Sequence, residues 1–149
     1  EEVNKGLRIT KKSGGIVDLP AQMNFSQFPD SAMTFGMLLP ALGHQNFEFR
    51  GLESLQYKEC NREEALYAHL QKVGVEMRKD EKIWTVNAAS FELKPDTIFE
   101  TYEDHRMAMC VAPLAILEPV RVEEGQWVRK SYPHFWEDLK SVGFEIDYL

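Results

Sequence analysis

Two segments of this chain carry one pattern: Leu70-Gln-Lys-Val-Gly-Val-Glu-Met77 and Leu139-Lys-Ser-Val-Gly-Phe-Glu-Ile146. Each closes an apolar helical face on Val-Gly and then alternates, which reads as helix, C′ glycine and strand. Upstream of both runs the same order: strand, acidic helix start, helix, strand, Lys-headed helix. Asp30 answers to Asp104, and Lys58 to Lys130. The fold class that follows is α/β (α+β), as a duplicated β-α-β-α-β-β unit larger than a solenoid repeat. The units fall at about 16–87 and 88–149. Duplication accounts for equivalent apolar positions. It does not require polar residues at every helix start.

Taken in order, residues 7–10 alternate as a strand that ends at Lys11-Lys12-Ser13-Gly14-Gly15, and 16–19 is a second extended piece. Residues 23–28 alternate apolar and polar, which predicts a half-buried strand. Asp30 is the candidate cap of a helix with Met33, Met37, Leu38, Ala41 and Leu42 on one face, stopped by Gly43. Pro40 should kink it or end it early. Phe47 to Arg50 is a strand, Leu66, Leu70 and Val73 mark a helix ending at Gly74, and 75–78 with 83–86 form a hairpin. Residues 97–99 lead to a helix capped by Asp104, whose buried face is Met107, Cys110, Val111, Leu114 and Leu117, bent at Pro113. Residues 120–122 are a strand. Phe135, Trp136, Leu139 and Val142 carry the last helix to Gly143, and 144–146 close as a strand.

With 149 residues and 44% hydrophobic content, the chain can bury well over half of its unfolded surface in one domain. A net charge of −7 with no basic stripe excludes a general nucleic-acid binder, so the cations must act locally on a small anion. Cys60 and Cys110 both fall in predicted helices and form neither a disulfide framework nor a zinc pattern, so they read as reduced. No secretory signal is visible, and no apolar run reaches the ~20 residues of a membrane span, which points to the cytoplasm and to no membrane partner. The chain opens on Glu1-Glu2-Val3 and reads as a piece of something longer.

Chemistry concentrates at the helix starts: Asp30, then Lys58, Glu59 and Arg62, then Asp104, His105 and Arg106, then Lys130. If the units are related by rotation, equivalent helix ends share one side of the domain. Cations near helix N-termini there define a site for a phosphate or carboxylate. The carboxylates among them can move protons, and neighbouring Lys and Arg lower their pKa, which suits a resting base. Plainer readings stand beside this one. Asp104 to Arg106 is also an ordinary capped helix with a surface ion pair, and Glu59 with Arg62 an ordinary i,i+3 pair. His105 can be a base, a donor to substrate or a packed polar residue; with no second His nearby, no metal site is expected. His44, His69 and His134 read as surface or packing residues, and Trp84, Trp127 and Trp136 as core.

At these residues the chain resembles the 5-enolpyruvylshikimate-3-phosphate synthase family. Asp104-His105-Arg106-Met107-Ala108-Met109 matches its best-known signature, and Lys58-Glu59-Cys60-Asn61-Arg62 its Lys-Glu-Ser/Thr-Asp-Arg motif. Pro29-Asp30-Ser31-Ala32 and Lys130-Ser131-Tyr132-Pro133 match two more, in the same order. The resemblance implies an inside-out α/β barrel domain. It also implies transfer of the enolpyruvyl group of phosphoenolpyruvate to the 5-hydroxyl of shikimate 3-phosphate, with release of phosphate and no cofactor. That reaction belongs to the shikimate pathway of aromatic amino acid biosynthesis. By the same resemblance Asp30 is a base for the 5-hydroxyl and Glu59 an acid/base at the phosphoenolpyruvate methylene carbon. Lys58 would touch both substrates, and Arg62, Arg106 and Lys130 would hold the carboxylate and phosphate of phosphoenolpyruvate. His105 would support that cluster as one of the catalytic residues, Asp104 would be among the substrate-binding residues, and Ser54 would lie near shikimate 3-phosphate.

Two departures qualify the match. Asn61 stands where the family has Asp, which should leave Arg62 less rigidly held, and Cys60 replaces Ser or Thr. Coverage also corresponds to the last third of a two-domain enzyme, so the N-terminal part of the same chain is an expected partner and the fragment alone should not turn over. A non-catalytic anion-binding domain and a UDP-N-acetylglucosamine enolpyruvyl transferase are the alternatives. The second lacks these paired motifs.

Overall fold

The computed structural model describes residues 19–148, so the strand expected at 7–10 and nearly all of that at 16–19 lie outside the described residues. The fold is mixed α/β. A four-stranded sheet takes the order β1 (Gln22–Asn24), β2 (Asn46–Arg50), β4 (Ile83–Asn87), β3 (Glu76–Asp80). β1 and β2 run parallel, which requires a crossover, and α1 (Ser31–Ala41) supplies it. β3 and β4 are the expected antiparallel hairpin. A second, two-stranded parallel sheet joins β5 (Thr97–Phe99) to β6 (Val120–Val122) across α3 (His105–Val111). α2 (Arg62–Lys72) follows β2 and α4 (Phe135–Ser141) follows β6, each after a 3-10 segment, Glu53–Tyr57 and Gly125–Lys130.

Period-two alternation decides which sheet face is buried. Phe47 and Phe49 on β2 stand opposite Val86 and Trp84 on β4, and all four are buried. Against that face pack Met33 and Met37 of α1, Leu66 and Leu70 of α2, and Met107 of α3, in one core with Phe99 and Leu114. Gly74 ends α2 at φ +72, where a Cβ would also run into the Ser90 carbonyl, so the stop read from sequence is sterically enforced. A smaller cluster of Ala108, Ala112, Val128 and Phe135 fixes the last segment, with Trp136 Nε1 donating to the Gly125 carbonyl at 2.9 Å.

Several expectations need correction. The strand read over 23–28 stops at Asn24: the Asn24 side chain accepts from Ser26 N–H at 3.0 Å, and Phe28 N–H bonds back to the Phe25 carbonyl at 2.9 Å. Local turn bonds outcompete the ladder there. α1 runs through Pro40 and ends one residue later, at Ala41. At Pro113 the helix is interrupted, α giving way to 3-10 over Ala112–Ile116. Cys60 lies before α2 and not within a helix, whereas Cys110 is buried in α3. Neither lysine heads a helix: α2 begins at Arg62, and Lys130 closes a 3-10 segment ahead of α4. Residues 144–146 form no strand; among the described residues they have no ladder partner, and an unpaired strand has little to stabilise it.

Candidate active site

The site is organised by the first residue of α2. Asn61 caps that helix, its side-chain oxygen accepting from Glu64 N–H at 3.3 Å. Arg62 then lies 1% exposed, with a guanidinium that cannot shed its charge. Such a group needs anionic partners, and three arrive from other segments.

Asp104 comes from the turn between β5 and α3. Tyr102 and Glu103 before it both take left-handed backbone, φ 51 and 59. They swing Asp104 into the cap position, where Oδ1 accepts from Arg106 N–H at 2.8 Å. Its two oxygens also receive Arg62 side by side, Nε at 2.7 Å and Nη2 at 3.1 Å, and Cys60 Sγ donates at 3.5 Å. Asp30 was expected to cap α1. It does not, because its own backbone is already helical and its carboxylate has stronger partners. Arg62 Nη1 donates to it at 2.6 Å, Lys58 Nζ lies at 3.3 Å, and Arg106 Nε approaches the other oxygen at 3.5 Å. Glu59 completes the set by accepting from Arg62 Nη2 at 2.6 Å.

Burial alone would raise the pKa of Asp30 and of Asp104. The cations outweigh it: Arg62, Lys58 and Arg106 hold Asp30 below the ordinary carboxylate value, and Arg62 with the Arg106 amide does the same for Asp104. Arg62 is pushed up in turn, its carboxylates overcoming desolvation. Desolvation first, and then Asp104, push the Cys60 thiol up to about 12, so it stays protonated and unreactive.

Asp30, Tyr57, Lys58, Glu59, Arg62, His105 and Arg106 line one open cleft of about 380 Å³. Asp104 lies beneath it with no exposed surface. His105 is buried at the cleft wall, its Nδ1 3.9 Å from Glu59 and 3.7 Å from Asp104 and hydrogen-bonded to neither. Ser54 and Lys130 are exposed and outside this lining. Among the described residues the Asn61 side chain hydrogen-bonds no arginine, and Arg62 is held by three carboxylates, so the looseness expected from the missing Asp does not arise. Tyr57, 81% exposed at the rim, was not singled out by sequence; its only signal was a large aromatic directly before Lys58.

A family model described as EPSP synthase (3-phosphoshikimate 1-carboxyvinyltransferase) matches residues 5–139. The chain belongs to this family. A 3-phosphoshikimate 1-carboxyvinyltransferase of Bacteroides fragilis is 40% identical over 148 residues, which is 98% of this chain and 35% of that protein. The Clostridium kluyveri protein of the same name is 32% identical over 93% of this chain and 31% of its own length. That of Aquifex aeolicus is 37% identical over 64% of this chain and 22% of its own. The chain thus spans about a third of the length of the first two relatives. Among the described residues no helix is long and apolar enough to cross a membrane.

Proposed function

We propose that the complete protein transfers the enolpyruvyl group of phosphoenolpyruvate to the 5-hydroxyl of shikimate 3-phosphate, in the cytoplasm, with release of phosphate. This chain supplies one wall of that site. The observation that carries the reading is a cleft in which two carboxylates, Asp30 and Glu59, stand among Lys58, Arg62 and Arg106 in a member of the EPSP synthase family. Lys58 and Arg106, with side chains 31% and 41% exposed, are open to an incoming anion, and Arg62 presents one edge. Lys130 joins them, and Ser54 meets shikimate 3-phosphate, once the rest of the polypeptide closes the site.

The chemistry follows from these groups. Asp30, kept ionised by its cations, accepts the 5-hydroxyl proton. Glu59 delivers a proton to the methylene carbon of phosphoenolpyruvate, which makes the adjacent carbon electrophilic toward the 5-oxygen. Glu59 then takes a proton back from that carbon, which restores the double bond as phosphate departs. Lys58 and Arg106 stabilise the charge on the leaving group, while Asp104 and His105 hold the cluster. Two repeated units, within an inside-out barrel completed by the missing N-terminal part, give this wall its shape; the paired crossovers β1-α1-β2 and β5-α3-β6 support that reading.

Phosphate release by the full-length protein tests it, with phosphoenolpyruvate and either shikimate 3-phosphate or UDP-N-acetylglucosamine. Release is expected only with shikimate 3-phosphate, and Glu59→Ala should lower it by about 10²-fold or more. The 149-residue chain alone should release none. Silence from the folded full-length protein with both acceptors would leave a binding domain instead.

A further inference from the structure

The charges lining and underlying the cleft cancel. Three carboxylates, Asp30, Glu59 and Asp104, face three cations, Lys58, Arg62 and Arg106, and every one of the six is engaged in an ion pair within the set. An anion that enters therefore meets cations already neutralised. Within this set, the added negative charge is balanced either by displacing a carboxylate or by taking up a proton, because unmatched negative charge in a partly desolvated cleft is strongly unfavourable.

We propose, on the functional reading above, that anion binding in this cleft is coupled to protonation of His105. His105 is the one lining side chain that can carry a proton on either or both of two ring nitrogens, and so be neutral or cationic. Nδ1 is buried without a hydrogen-bond partner among the described residues, and carboxylate oxygens of Glu59 and Asp104 lie 3.9 Å and 3.7 Å away. A neutral ring gains little from these oxygens. An imidazolium gains from both, so the site already holds the acceptors that a charged His105 needs.

The surroundings favour this destination over Asp30 and Asp104. From the head of α1 comes Asp30, from the loop before α2 Lys58 and Glu59, from α2 itself Arg62, and from α3 Asp104 and Arg106. The 3-10 segment Gly125–Lys130 also packs on α3 and brings Arg129 and Lys130, neither of them ion-paired among the described residues. Asp30 and Asp104 are held ionised by their cations and are poor places for an extra proton near neutrality. A bound anion shifts the balance toward imidazolium, and by linkage its own affinity must then fall as pH rises.

Calorimetry on the complete polypeptide tests this, with phosphoenolpyruvate as probe in buffers of different ionisation enthalpy near neutral pH. The wild type should take up more protons per bound phosphoenolpyruvate than His105→Asn, by at most one; the ligand's own ionisation cancels in that difference. The variant should also lose the decline in affinity, up to about tenfold per pH unit, expected above the imidazole range. Equal uptake by both proteins would overturn the coupling while leaving the anion site intact. No binding of phosphoenolpyruvate by the folded wild type would remove the functional reading and the coupling together. Should His105→Asn fail to fold, ¹⁵N-imidazole NMR of the wild type decides: a histidine ring that becomes doubly protonated at constant pH on addition of phosphoenolpyruvate supports the coupling, and its absence overturns it.

Discussion

Arg62 and His69 lie on the same helix, two turns apart and on one face, and solvent reaches neither: they are 1% and 0% exposed. Their surroundings could hardly differ more. Arg62 gathers Asp104, Asp30 and Glu59 from three segments of the chain. Among the described residues His69 has no hydrogen-bond partner at either ring nitrogen, and it stands edge-on to Phe99 at 5.1 Å with the Tyr102 ring at 5.8 Å. Burial, and then Lys72, lower its pKa to about 4. A guanidinium cannot lose its charge, so burying it forces three carboxylates inward. An imidazole can, so the fold uses it as one more aromatic ring. The same helix face thereby builds a charged site at one end and an ordinary core at the other.

The comparison breaks most visibly if Arg62 loses its charge. Arg62→Met keeps much of the volume but strands Asp104, which has no exposed surface, and leaves Asp30 and Glu59 close to it without their shared cation. Urea unfolding at neutral pH should show a loss of about 3–5 kcal/mol. The sign with pH is fixed. In the wild type the depressed carboxyls stabilise the fold above their ordinary range, and that contribution is lost as pH falls through their lowered folded values. In the variant the same carboxyls prefer to be protonated, so the gap between the proteins should close in acid. A constant gap at every pH would mean that Arg62 acts through packing alone.

His69 sharpens the contrast from the other side. The unfolded chain binds this proton near 6.5 and the folded chain only near 4, so between those values the unfolded state holds more protons. Stability is complete above 6.5 and falls as pH drops toward 4, by at most about 3 kcal/mol. His69→Phe should fold, keep the aromatic contacts and flatten the stability profile across that window, with little change at neutral pH. An unchanged slope in the variant would place the titration elsewhere.

Why one residue was legible in the sequence and another was not follows from the same physics. Signals within a few residues of one another read well: the cap at Asp104, the stop at Gly74, the alternation of Phe47 with Phe49 and of Trp84 with Val86. The residue types that line the cleft were also readable, since Asp30, Lys58, Glu59, Arg62, His105 and Arg106 stood out as charged or titratable groups around helix starts. What each one touches was not. Asp30 looked like a cap because a cap is a local matter, while the pull of Arg62 comes from 32 positions away. The strand expected at 144–146 repeats the 75–77 pattern but not its partners, and pairing is a property of neighbours. Lys130 followed an assumed equivalence to Lys58 that the longer 3-10 segment before α4 does not keep.

The smallest expected effect concerns Asn61, the departure that seemed most damaging on sequence grounds. Its side chain accepts from Glu64 N–H at 3.3 Å and so closes the first turn of α2. Asn and Asp are about equally good at that task. Asn61→Asp would add a favourable charge at the helix N-terminus, but Glu63 and Glu64 already occupy that turn and would repel it. The two terms oppose one another, and the net change in unfolding free energy should stay within about 0.5 kcal/mol. Phosphate release by the full-length protein should change less than about twofold, since Arg62 takes its position from Asp104, Asp30 and Glu59 rather than from residue 61. Asn61→Ala, which removes the cap without adding charge, should cost about 1 kcal/mol. A large gain in activity from Asn61→Asp would show that residue 61 reaches the arginine cluster after all, and that the three carboxylates do not hold Arg62 by themselves.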